Sequence, residues 1–183
     1  MLALAPCLLF SAYAMAADAA SANAKIPSLY ADKLHFSAST PLDPKVKAVV
    51  PDNWTAQRIP EGSWEPPADY VLGPESSFRV GYACGPSCKP VDHWTPVLDE
   101  QLFAPLLSWS WKVDRKETST TQRFVTSHAP NGVVEIVRAM FAAGKDKALY
   151  CHVRLQPHGG GMGKDTVVDK LIPAFEEACL ALR

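Results

Sequence analysis

Residues 131–155, NGVVEIVRAMFAAGKDKALYCHVRL, decide the fold. Asn131-Gly132 is a tight-turn dipeptide between two strand-like runs, the strongest short-range hairpin signal in the chain. Val133–Phe141 predicts a largely buried strand, and Ala142–Lys147, which holds Gly144, predicts the next turn. Ala148–Leu155 then alternates with period two. Leu149, Cys151, Val153 and Leu155 share one face; Tyr150, His152 and Arg154 share the other. Two such strands joined by short turns make an antiparallel meander that needs a cover for its apolar face.

Downstream, the cover is a C-terminal helix predicted from Asp165 to Arg183, interrupted at Pro173 and so expected as two helical pieces. Upstream, Trp109–Val113 and Arg123–Ser127 read as strands on either side of a polar stretch, Asp114–Gln122. Thr95–Leu107 predicts a helix, Phe78–Ala83 a strand, and Val46–Val50 a strand ending at Pro51. Pro51–Trp54 reads as a turn that delivers a tryptophan into the structure, and Leu29–Phe36 as a helix or short strand. Eleven of the 16 prolines lie between Pro41 and Pro105, so irregular segments are expected there. The expected class is α+β: a curved antiparallel sheet packed by helices, an α/β/α sandwich stabilised by disulfides.

The chain has 183 residues, enough for one domain, with 48% apolar and 20% charged residues. A net charge of −1 supplies no basic field for nucleic acid. Residues 1–16 have the apolar core and small-residue cleavage pattern (Ala14-Met15-Ala16) of a secretory signal peptide, although no Lys or Arg precedes Lys25. They are too short for stable membrane insertion. Residues 17–24 are expected as a flexible mature N-terminus and 25–183 as one globular domain, periplasmic or secreted.

Removing Cys7 with the leader leaves Cys84, Cys88, Cys151 and Cys179, an even number in an exported chain. Ile172, Phe175, Cys179 and Leu182 recur at helical spacing, so Cys179 and Cys151 are expected to face each other across one core layer. Elimination then pairs Cys84 with Cys88 around Gly85, Pro86 and Ser87, as a stapled loop. The alternative is a thiol–disulfide redox pair, but the βαβ frame and cis-proline loop of thioredoxin-like proteins are missing. A further alternative is a metal carrier in which His93 or His152 joins Cys84 and Cys88.

His158-Gly159-Gly160-Gly161-Met162 fails as a Walker A loop, because the Mg²⁺-binding Ser/Thr is replaced by Asp165. It also fails as an esterase oxyanion loop, because no nucleophile elbow follows. It is expected as a flexible strand-to-helix connection and a contact loop. Five tryptophans cluster in the middle of the chain (Trp54, Trp64, Trp94, Trp109, Trp111); an exposed one would suit an interface hot spot.

Pro51–Trp54, Val133–Phe141, Ala148–Leu155 and Ile172-Pro173-Ala174-Phe175 together resemble the PsbP-like α/β/α sandwich superfamily. That resemblance implies a curved antiparallel sheet ending on a packed helix, and a protein-binding or accessory role. The CGPSC loop and the Cys151/Cys179 pair are not part of the family pattern. With no cofactor motif and no catalytic set, the expected function is a non-catalytic, exported protein-binding module. The specific expectation is an immunity- or inhibitor-type protein that neutralises a secreted toxin or hydrolase of the cell envelope.

Overall fold

The hairpin at Asn131-Gly132 closes as the dipeptide requires. Gly132 takes φ of 84°, the left-handed region that glycine enters without steric cost. Its N–H donates to Ala129 O at 2.9 Å, and Ala129 N–H donates to Val133 O at 2.8 Å. The computed structural model describes residues 7–42, 46–58, 68–72, 76–83, 91–141, 147–157 and 166–183. The expected Ala142–Lys147 turn, the Cys84–Cys88 loop and the His158–Met162 loop lie outside the described residues, except Lys147.

In chain order the elements are α1 (Cys7–Ala24), β1 (Phe36–Ser39), β2 (Ala48–Pro51), β3 (Thr55–Arg58), β4 (Ala68–Leu72) and β5 (Ser76–Ala83). They continue with α2 (Pro96–Phe103), β6 (Lys112–Thr118), β7 (Gln122–His128), β8 (Val134–Phe141), β9 (Ala148–Leu155) and α3 (Thr166–Leu180). Among the described residues, seven strands form one antiparallel sheet in the order β3-β4-β5-β9-β8-β7-β6, and β1-β2 form a separate pair. Strand β9 matches the alternating segment residue for residue. The fold is α+β, with the sheet between two helical layers.

On one face, α3 lies over β8 and β9, with α1 and the β1-β2 pair beside it. Phe175 sits at the centre of this core. Its ring lies 5.2 Å from Phe36, 5.4 Å from Trp54 and 6.2 Å from Phe78. Cys151 and Cys179 are bonded across the same layer, with Cα atoms 5.5 Å apart and neither residue exposed. Closing this loop contributes about 3 kcal/mol by restricting the unfolded chain.

Arg138 also points to this face. Its Nη1 donates to Cys179 O, Leu180 O and Leu182 O at 3.1, 2.8 and 2.8 Å, and its Nη2 donates to Gln122 Oε1 at 3.1 Å. The guanidinium satisfies carbonyls that the end of α3 leaves orphaned, where a cation also suits the helix dipole.

On the other face, Leu98 of α2 meets Ala83 and Ala148, while Phe103 and Leu106 cover Val125, Val137 and Ala139. Helix α2 begins at Thr95, whose Oγ1 accepts the Leu98 N–H at 3.2 Å, with Pro96 in the first turn. Gly81 of β5 serves close approach: a Cβ there would meet the Tyr150 ring at 2.7 Å.

Four expectations change. Residues 17–24, expected as a flexible mature N-terminus, form the second half of α1 in the full chain, with Ala19 and Ala22 buried beside Met15. The side chain of Asn23 explains the order: it donates to Phe36 O at 2.9 Å and accepts from Phe36 N at 2.8 Å. The Asp114–Gln122 stretch is mostly strand, since β6 runs to Thr118. An edge strand is held by its backbone bonds to β7 and needs no apolar alternation, which is why its sequence looked like a loop. Helix α3 is continuous through Pro173 rather than split. Pro173 is exposed, so water can satisfy the carbonyl its missing N–H leaves free. Finally, β3 and β4 form within the proline-rich middle, at positions where no element was expected.

Candidate functional site

The register places five strand ends together. Lys112 pairs with His128, His128 with Val134, Val134 with Leu155, and Ser77 with Arg154. The start of β6, the end of β7, the start of β8, the end of β9 and the start of β5 therefore share one end of the sheet. Just before β6, the chain turns with Trp111 N–H donating to Ser108 O at 3.0 Å. Leu106 behind the turn is buried, and its carbonyl accepts from Ser127 Oγ at 2.8 Å.

From this anchored turn Trp109 projects with 98% of its surface exposed, next to partly exposed Leu107 and Val113. An indole in water loses the burial that makes tryptophan useful in a core. On a fixed turn, it offers a partner a large rigid contact at little entropic cost.

A polar web lies beside Trp109. The Nε2 of His128 faces Asp169 Oδ1 at 2.9 Å, and its Nδ1 faces the Asp114 carboxylate. Lys112 Nζ donates to Asp114 at 2.6 Å. Burial raises the Asp114 carboxyl, but the hydrogen bonds from Lys112 and His128 outweigh it and hold the group below its usual range. One step along, Arg115 donates to Glu176 Oε2 at 2.7 Å and Thr126 donates to Glu176 Oε1 at 2.5 Å. The other sheet face carries Glu135 at this end, buried, with Arg154 Nη1 at 2.6 Å and His152 Nε2 at 3.2 Å. Burial raises the Glu135 carboxyl, and the His152 and Arg154 contacts more than offset this and lower it.

The strand ends that lead to the predicted contact loops lie at opposite ends of the sheet. Residues His158, Gly159, Gly160, Gly161 and Met162 lie outside the described residues, but both flanks are in view. The chain leaves β9 at Leu155 at the Trp109 end, and α3 presents Asp169 to His128 there. Cys84, Gly85, Pro86, Ser87 and Cys88 also lie outside the described residues. Their strand ends at Ala83, paired with Ala148 at the opposite end of β9 from Leu155. Seven residue-to-residue steps of strand separate these roots, about 23 Å.

His93 is exposed and bonded to its neighbour Asp92 at 2.6 Å, and among the described residues no cluster of three His, Cys, Asp or Glu side chains could hold a metal. No helix among them is long and apolar enough to cross a membrane. The sequence marked tryptophans as a class without distinguishing Trp109. It gave no signal for Asp114, His128 and Asp169, which come from three distant segments.

No protein-family model matches the chain, and no curated protein sequence matches it. Among solved structures the chain is similar to the Saccharomyces cerevisiae Ran-binding protein Mog1p, with a TM-score of 0.55 and 9% identity over 82% of this chain and 96% of that chain. At that identity the likeness shows a common fold alone.

Proposed function

We propose that this chain is a protein-binding module whose contact surface is the Trp109 end of the sheet. The observation that carries the reading is the exposure of Trp109, at 98%, on a turn anchored by Leu106 and Ser127. Tryptophan is the residue type most enriched among interface hot spots, and an anchored one is pre-ordered for binding. The Mog1p fold serves a Ran-binding protein, which supports protein recognition as a use of this architecture. The proposal extends to the expected setting: an exported, immunity- or inhibitor-type protein acting on a cell-envelope effector or hydrolase, within the PsbP-like kinship.

The Cys151–Cys179 disulfide supports an oxidising compartment. Cleavage after Ala16 would leave Ala17–Ala24 as the helical remnant, still tied through Asp18, Ser21 and Asn23 to Arg183, Glu177 and Phe36.

Affinity capture from envelope extract tests the reading, with wild type compared against Trp109→Ala and against a loop variant at Gly85-Pro86-Ser87. A partner retained by wild type and the loop variant but lost by Trp109→Ala is expected. Equal capture by wild type and Trp109→Ala would remove the proposed surface.

A further inference from the structure

We propose that His128 is a protonation-operated latch that fixes the Trp109 turn and the start of β6 against the first turn of α3. The imidazole lies between carboxylates on two different elements: Asp114 of β6 on Nδ1 and Asp169 of α3 on Nε2, the latter at 2.9 Å. Carboxylate oxygens only accept, so both contacts are hydrogen bonds only when both ring nitrogens donate and the ring carries both protons. Loss of one proton turns a donor into a lone pair pointed at a carboxylate, which breaks one arm of the bridge.

The charged groups facing the ring are Lys112 and Asp114 on β6 and Asp169 on α3. The facing residue of β8 is Val134, and the neighbour on the same face of β7 is neutral Thr126, bonded to Glu176. Carboxylates as a class are ionised above about pH 5. Histidine is the side-chain type that ordinarily changes charge between about pH 5 and 8. Lys112 and Asp114 follow the Trp109 turn directly in sequence, and Asp169 lies in the first turn of α3. Protonation would therefore set the geometry of the proposed contact surface. That consequence rests on the interface reading; the latch itself does not.

Amide hydrogen exchange of the full chain, without a partner, tests the latch at about pH 5.5 and about pH 8.5. Rates are converted to protection factors to remove intrinsic base catalysis. In wild type, protection of residues 112–115 should fall by about tenfold at the higher pH, while β9 stays protected. His128→Gln should show low protection of residues 112–115 at both pH values, and Asp169→Asn should lose most of the pH response. Unchanged wild-type protection, or an undiminished pH response in both variants, overturns the proposal. Because no partner is present, failure of the latch is separate from failure of Trp109→Ala to abolish capture.

Discussion

Trp54 and Trp109 put one side chain to opposite uses. Trp54 follows the Pro51 turn into the core, where it is 6% exposed and packs on Phe175 at 5.4 Å. Trp109 stands on a turn held just as firmly, yet 98% of it faces solvent. The first lies where α3, α1 and the small β1-β2 pair converge on the sheet, so its area is removed from water. The second lies on the turn that enters edge strand β6, where none of the core clusters among the described residues includes its ring. The same residue type therefore ends buried or exposed according to what packs on it.

If the closed side carries stability and the open end does not, substitutions should separate along that line. The largest loss is expected from Phe175→Ala, about 3–5 kcal/mol, because the ring touches Phe36, Trp54 and Phe78 and its removal leaves a cavity. Urea unfolding measures it; a loss below about 1 kcal/mol would mean that this core is loosely packed. Replacing both Cys151 and Cys179 by alanine should cost about 3 kcal/mol, read from the same unfolding curves in oxidising buffer.

At the boundary between the regions, Glu135→Gln should cost about 1–2 kcal/mol at neutral pH by removing the charge and one of the two oxygens that accept from Arg154 and His152. The pH dependence has a definite sign. Glu135 is lowered in the folded protein, so its contribution is present above the unfolded carboxyl range and is lost as pH falls through the folded value. Wild-type stability should therefore fall more steeply than that of Glu135→Gln on acidification below about pH 4.5; parallel curves would contradict the assignment.

Trp109→Ala should change stability least, by less than about 0.5 kcal/mol, while weakening partner binding by about 2 kcal/mol or more. A large stability loss there would instead make Trp109 part of the folded core.

The legible parts of this chain share one property: their burial is one-sided and local. Strand β9 was readable because Leu149, Cys151, Val153 and Leu155 meet the core at period two. The pairing of Cys151 with Cys179 followed from two such periodicities facing each other. Edge strand β6 was misread because solvent on its open side lets charged residues occupy strand positions, with a bulge between Val113 and Arg115. The charges and the bulge also discourage pairing with another chain. The helical character of 17–24 was missed because composition suggested a processed leader, although Met15, Ala19 and Ala22 stand at helical spacing and are buried.

Of the site, sequence reading anticipated an exposed tryptophan and two contact loops. The wide separation of the loop roots followed only from strand order, since β5 and β9 run antiparallel and their exits point apart.

By itself, then, the sequence determined the meander from β7 to β9, the apolar face of α3 and the disulfide across them, because each depends on short-range periodicity. Tertiary structure alone decided that Trp109 is left in solvent and that the strand end leading to the His158–Met162 segment lies at its end of the sheet. It also brought Asp114, His128 and Asp169 into contact, because each outcome depends on which distant segments pack together.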